Sequence, residues 1–343
     1  MNISMRKYLA LLWFALVAVP ALPAQSKTEY PAIPRVDVHA HVGSIENMSN
    51  YMAVRKTLQD KYGEDLALWI NVKTPLGPRG EGLPWLKEVE EKFSGRFLSC
   101  LTNHEISKGL KFSPEEVGEW MDRGVVGYKI WVGVSTAIND PANDPTLAKM
   151  EQIRLPGASV HIAQPYPTRW VQDPVKFWEA QHAWKAVLDR HPRLLVVNAH
   201  MLDFFNSDEQ LDYLGYMLES YPNLNVDLAA RFQQFHRMTR EKLRSFIIKY
   251  SDRILFGTDI SDVKPDAVGD IAERYHRCFQ LSETESLIQG GFFGRTETKG
   301  LALPREVLEK IYWRNAARIY PRVKEVLTKL GYALDKTPTS GAG

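Results

Sequence analysis

The residues of this chain best equipped for chemistry are His39 and His41, in the run Arg35-Val36-Asp37-Val38-His39-Ala40-His41-Val42-Gly43. Along a strand, side chains two positions apart share a face. Asp37, His39 and His41 are therefore expected to point one way, and Val36, Val38 and Ala40 the other. Two imidazoles that converge on one spot can hold a divalent ion. A pair of exposed or hydrogen-bonded histidines satisfies the same spacing, and His-x-His alone does not choose between the two. Further polar residues bear on the choice: Lys129 in Gly127-Tyr128-Lys129-Ile130-Trp131, His161 in Ser159-Val160-His161-Ile162, His200 in Val197-Asn198-Ala199-His200-Met201, and Asp259 in Phe256-Gly257-Thr258-Asp259-Ile260.

These groups need a frame that brings distant segments together. From residue 33 onward, short β-rich runs alternate with longer segments of helical period, the pattern of parallel βα units. The predicted strands are Arg35 to His39, Leu66 to Val72, Arg96 to Leu101, Val125 to Trp131, Ala158 to His161, Leu194 to Ala199, Leu224 to Ala229 and Arg253 to Thr258. Helices are predicted between them, among them Pro114 to Arg123, with Ser113 and Glu116 in capping-box positions, and Pro174 to Arg190, capped by Asp173. Eight such repeats predict an α/β fold of one domain, a distorted (β/α)8 TIM barrel. The runner-up is an open doubly wound sheet, but that fold usually places a glycine-rich phosphate loop after its first strand, where this chain has His-Ala-His. In a barrel the reactive groups collect at the C-terminal strand ends, which is where His39, His41, Lys129, His161, His200 and Asp259 all fall. Strand parity turns Lys129, Gly257 and Asp259 inward, and Tyr128, Ile130 and Phe256 toward the helices. The segment from Val132 to Pro156 reads as a long loop forming part of a lid, and Gly290 to Leu303 as a second insertion before a closing helix, Pro304 to Ile319.

In this order, the motifs resemble the amidohydrolase superfamily, specifically its amidohydrolase-related branch of metal-dependent TIM-barrel enzymes, which also includes lactonases, hydratases and nonoxidative decarboxylases. The resemblance runs from Val36-Asp37-Val38-His39-Ala40-His41 through Gly257-Thr258-Asp259 to Ile311-Tyr312-Trp313-Arg314-Asn315-Ala316-Ala317-Arg318-Ile319. It implies that His39, His41, His161 and Asp259 hold a divalent ion, zinc or else manganese, with His200 beside it. It also implies two states for Lys129: carboxylated and bridging two metals, or unmodified beside one. The one-metal state is the expectation here, with Lys129 free to bind an anionic group. An inward lysine satisfied by a barrel carboxylate such as Asp37 is the competing reading.

The expected chemistry is hydrolysis of a lactone, ester or amide-type bond in a small molecule. Asp259 is expected to take a proton from water and deliver it to the leaving group, and His200 to donate a hydrogen bond to the attacked oxygen. Arg231, Trp131 and Gln164 are candidate substrate contacts, with His104, Glu105, Tyr166 and Arg169 on neighbouring loops; a rim arginine paired with a surface aspartate is the alternative for Arg231. Two rivals remain open at this stage. One is metal-dependent nonoxidative decarboxylation on the same barrel, for which an acidic residue ahead of the first histidine, here Asp37, is a weak pointer. The other is an exported binding protein that has lost catalysis.

Composition bounds the setting. The 343 residues are 44% hydrophobic and 24% charged with a formal net charge of +2, which suits a globular domain and gives no reason to expect nucleic acid as a partner. Arg6 and Lys7, the apolar run Tyr8 to Val19 and the sequence Pro20-Ala21-Leu22-Pro23-Ala24-Gln25 have the parts of a secretory signal. Residues 1–25 are thus expected to be removed, leaving a periplasmic or secreted protein with no stable membrane anchor. Residues 26–335 would then form the catalytic domain and 336–343 a frayed tail, with a homodimer as the default assembly. Cys100 and Cys278 have no partners at motif spacing and are expected to be buried free thiols.

Overall fold

The strands of this protein are buried along nearly their whole length, and the helices between them return the chain to the same end of the sheet. The computed structural model describes residues 30, 33–162, 173–289 and 296–334. Strands β1 (Val36–His41), β2 (Leu68–Asn71), β3 (Phe97–Asn103), β4 (Gly127–Gly133), β5 (Gly157–Ile162), β6 (Val196–Asn198) and β7 (Leu224–Asp227) run parallel, each bonded to the next in chain order. Each is followed by a helix: α1 (Ile45–Tyr62), α2 (Leu83–Phe93), α3 (Pro114–Asp122), α4 (Asp144–Ile153), α5 (Pro174–Arg190), α6 (Asp208–Ser220) and α7 (Arg240–Lys249), with α8 (Val268–Glu283) completing the eighth unit. The fold is the expected single-domain TIM barrel. Ser113 and Glu116 make the full capping box that starts α3, and Asp173 accepts from the backbone N–H groups of Val175 and Lys176 to start α5.

The eighth strand carries the distortion. It divides into β8 (Ile254–Leu255), which pairs with β7, and β9 (Ile260–Ser261), which pairs with β1. Between the two pieces the ring is closed by single bonds: Val38 N–H donates to the Phe256 carbonyl at 3.0 Å, and Asp259 N–H to the His39 carbonyl at 2.9 Å. Phe256 N–H turns away to the carbonyl of Ile311 at 2.9 Å. Ile311 lies in a π-helical turn, Lys310–Arg314, within the closing helix, and a π-turn leaves one carbonyl without its usual intrahelical donor.

One expectation changes. Residues 132–156 are not a lid loop: after two short turns they form α4, whose Leu147 and Met150 are fully buried as an ordinary crossover helix. The second insertion contributes β11 (Thr298–Lys299), which pairs antiparallel with β10 (Leu287–Ile288) just before it. Cys100 and Cys278 are both free and buried. The expected leader and tail lie outside the described residues, and among the described residues no helix is long and apolar enough to cross a membrane.

Candidate metal centre

Strand β1 delivers two imidazoles to the mouth of the barrel. The Nε2 atoms of His39 and His41 are 3.2 Å apart, and Asp259 Oδ1 lies 3.3 Å from the first and 3.0 Å from the second. Asp259 reaches this position from the break in the eighth strand, with φ of 63° in the left-handed region. Holding a non-glycine residue there costs about 1–2 kcal/mol, and its N–H bond to the His39 carbonyl helps to fix it.

Asp37, expected beside the histidines, is elsewhere. Its carboxylate accepts from Thr258 Oγ1 and Tyr275 of α8, both at 2.6 Å, and from the N–H groups of His39 and Thr258 at 3.0 and 3.2 Å. The β1–β2 register is irregular between Asp37 and Ala40, so strict alternation fails there and the two side chains part. Burial raises the Asp37 pKa even against these four donors.

His200 comes from a turn that its sequence does not advertise. His200, Met201, Leu202 and Asp203 all have φ between 55° and 59°, four consecutive left-handed residues with no glycine. Three anchors hold the turn: His200 N–H donates to Asp227 Oδ1 at 2.8 Å, His200 Nδ1 donates to the Ala229 carbonyl at 2.8 Å, and Gln181 donates to the Leu202 carbonyl at 3.2 Å. Asp227, at the end of β7, also receives His39 Nδ1 at 2.9 Å and Ala229 N–H at 3.1 Å. Sequence reasoning missed Asp227; its one signal was a carboxylate at the end of an otherwise apolar and amide-bearing strand.

The donor set suits a divalent cation. Ligand atoms of His39, His200 and Asp259 all lie within 4.8 Å of one another. A carbonyl can only accept, so His200 carries its proton on Nδ1 and offers an Nε2 lone pair; Asp227 does the same for His39. Lone pairs and a carboxylate thus face one spot. Burial pushes His200 down to about 3 and His41 down to about 4. Burial works to raise Asp259, but His200, His39 and His41 outweigh it and leave the carboxyl well below its ordinary range.

The other predicted residues distribute around this group. His161 is not in the tight set of three: its ring packs edge-on to His200 with centroids 4.4 Å apart, and its Nε2 is 4.0 Å from Asp203 Oδ2. Burial holds its pKa well below the ordinary value. Lys129 is buried, with Nζ 2.6 Å from Ser159 Oγ and 3.5 Å from His39 Nε2, so its partner is Ser159 rather than Asp37. Burial brings its ammonium down to about 8 against the attraction of Asp259 and Asp227. Trp131 stands edge-on to His161, centroids 6.3 Å apart. Arg231 is neither on the rim nor paired with a surface acid: it is buried, ion-paired to buried Asp203 and bonded to Gln234 at 2.8 Å. Gln164, Tyr166 and Arg169 lie outside the described residues. His191 and His276 pair with Asp144 and Glu64 at 3.2 and 2.7 Å, away from this mouth.

Comparison with known proteins bears on the family and the fold. A family model described as amidohydrolase matches residues 108–322. An uncharacterized TIM-barrel protein from Bordetella bronchiseptica has a similar fold, with a TM-score of 0.52 at 14% identity over 83% of this chain and 98% of that one. A 5-carboxyvanillate decarboxylase from Sphingomonas paucimobilis aligns with a TM-score of 0.46 at 13% identity, over 84% of this chain and 99% of that one. A dihydroorotase from Saccharomyces cerevisiae aligns with a TM-score of 0.46 at 12% identity, over 88% and 80%. No curated protein matches the chain.

Proposed function

The chain belongs to the amidohydrolase family, and from that premise we propose that it is an exported, metal-dependent hydrolase of small molecules that cleaves a lactone, ester or amide-type bond. The observation that carries the reading is the convergence of acceptor atoms from His39, His200 and Asp259 within 4.8 Å, with both Nδ1 atoms committed elsewhere. His41, whose Nε2 adjoins His39 and Asp259, joins them as a proposed ligand, and His161 borders the set through the His200 ring. Zinc is the proposed ion and manganese the alternative; when bound, such an ion acidifies water and polarises a carbonyl.

The chain's own groups divide the remaining work. Asp259, ionised and with a third of its side chain exposed, accepts the proton of the attacking water and passes it to the leaving group. We read His200 as an acceptor at the centre rather than the hydrogen-bond donor expected from sequence, since a neutral ring gives its Nδ1 proton to the Ala229 carbonyl. Lys129 takes over as the nearest buried cation and steadies negative charge on the substrate. Arg231, neutralised by Asp203, is given a structural role instead.

Decarboxylation drew its weak sequence support from Asp37, and that carboxylate is fully committed to Thr258, Tyr275 and backbone. Export rests on the sequence of residues 6–25 alone, and N-terminal sequencing of protein recovered from a secreting host checks it. The catalytic test is a screen of lactones, esters, N-acyl compounds and hydroxybenzoates with zinc-loaded protein in ¹⁸O-labelled water. Chelator-sensitive turnover with label in the organic product is expected; release of carbon dioxide with no label in the organic product would replace hydrolysis with decarboxylation.

A further inference from the structure

Asp227 is fully buried on β7, and every bond it makes leads back to the candidate centre. Its Oδ2 meets His39 Nδ1 at 2.9 Å, while Oδ1 accepts from His200 N–H at 2.8 Å and Ala229 N–H at 3.1 Å. The last two pin the start of the left-handed turn and the segment whose carbonyl fixes the His200 ring.

We propose that Asp227 is a positioning residue that sets both imidazoles at once, fixing the tautomer of His39 through its ring and the place of His200 through its backbone. The inference rests on the reading of His39 and His200 as metal ligands. A carboxylate has no proton to give, so His39 Nδ1 must be the donor and Nε2 keeps the lone pair that faces Asp259. The Ser159 hydroxyl lies 3.2 Å from His39 Nδ1 and 3.1 Å from Nε2, but a hydroxyl donates or accepts and imposes no tautomer. Gly257 completes the arrangement, since a Cβ there would stand 3.1 Å from that of His39 and 3.5 Å from that of Asp227. The two residues are therefore pressed together where a larger neighbour would hold them apart.

Asp227→Asn separates the two duties. The amide oxygen can still accept from His200 and Ala229, but its NH₂ then faces His39 Nδ1 and moves the imidazole proton to Nε2, covering the lone pair. Two measurements on the full-length protein decide the matter. In ¹⁵N-resolved imidazole spectra of metal-free protein, His39 is expected as the Nδ1–H form in the wild type and as the Nε2–H form in D227N. Zinc affinity, read by competition with a chromophoric chelator, is expected to fall about 10- to 100-fold in D227N. A wild-type His39 protonated on Nε2, or a folded D227N with unchanged tautomer and unchanged zinc affinity, overturns the proposal. If D227N does not fold, the wild-type tautomer still decides. Wild-type protein that takes up no zinc sinks the metal reading, and the tautomer then judges Asp227 on its own.

Discussion

Asp259 Oδ1 stands 3.0 Å from His41 Nε2, and Asp259 makes this contact from a left-handed backbone at the break in the eighth strand. Replacing Asp259 with asparagine keeps the shape and removes the base. Turnover by D259N is expected to fall by roughly two to four orders of magnitude with zinc content retained. Full turnover in a zinc-loaded D259N would remove Asp259 from the mechanism.

Acceptor atoms crowded without a cation repel one another, so filling the centre should stabilise the fold. At free zinc about 100 times its Kd, the gain is about 2.7 kcal/mol. Thermal melts with chelator and with added zinc read this directly, and His39→Ala should abolish the difference.

Acid should weaken the metal-free protein in a defined window. His41 is held at about 4 and His200 at about 3 against an ordinary 6.5, and His161 is lowered as well. Below pH 6.5 the unfolded chain binds protons that the folded one refuses. Stability is therefore complete above about 6.5 and is lost as pH falls. Asp203, pushed up by burial to about 7, acts in the opposite sense and offsets one of the three histidines. Urea unfolding at pH 7 and pH 5 should show lower stability at pH 5, and the difference should shrink in His200→Gln.

Arg231 distinguishes a structural ion pair from a substrate clamp. Truncation to alanine leaves Asp203 buried without its partner, at a cost of about 3–5 kcal/mol. A stable R231A with only a raised KM would return the residue to the substrate pocket.

Gly257 offers a steric test of the same region. The alanine variant brings a methyl within 3.1 Å of the His39 Cβ. Overpacking of this kind costs about 1–3 kcal/mol, and zinc affinity should fall more than the melting temperature alone would suggest.

The barrel was legible because its strands are β-rich runs at regular intervals and its helices carry explicit starts, such as Ser113 with Glu116 and Asp173 before Pro174. Helix α4 was hidden behind Asp140-Pro141 and Asp144-Pro145, residues that mark loops as readily as helix starts. The histidines and Asp259 could be placed at strand ends by parity, but parity could not show that Asp37 leaves their face at a register irregularity. Nor does anything in His-Met-Leu-Asp announce a left-handed turn: tertiary anchors from Asp227, Ala229 and Gln181 impose it against local preference. Asp227 itself stayed unseen because its role depends on what β1 and β6 bring to it.

The split eighth strand gives the barrel a seam. Two residues stitch it to β7, two to β1, and isolated backbone bonds cross the gap in between. Asp259 lies on that seam, His39 and His41 on the wall beside it, and His200 on the turn after β6. An ion gripped by all of them would act as a rivet, so opening of the ring and escape of the ion become one event. Amide hydrogen exchange around Thr258 to Ser261 should accordingly slow on loading with zinc, making the least stitched part of the wall a reporter of occupancy.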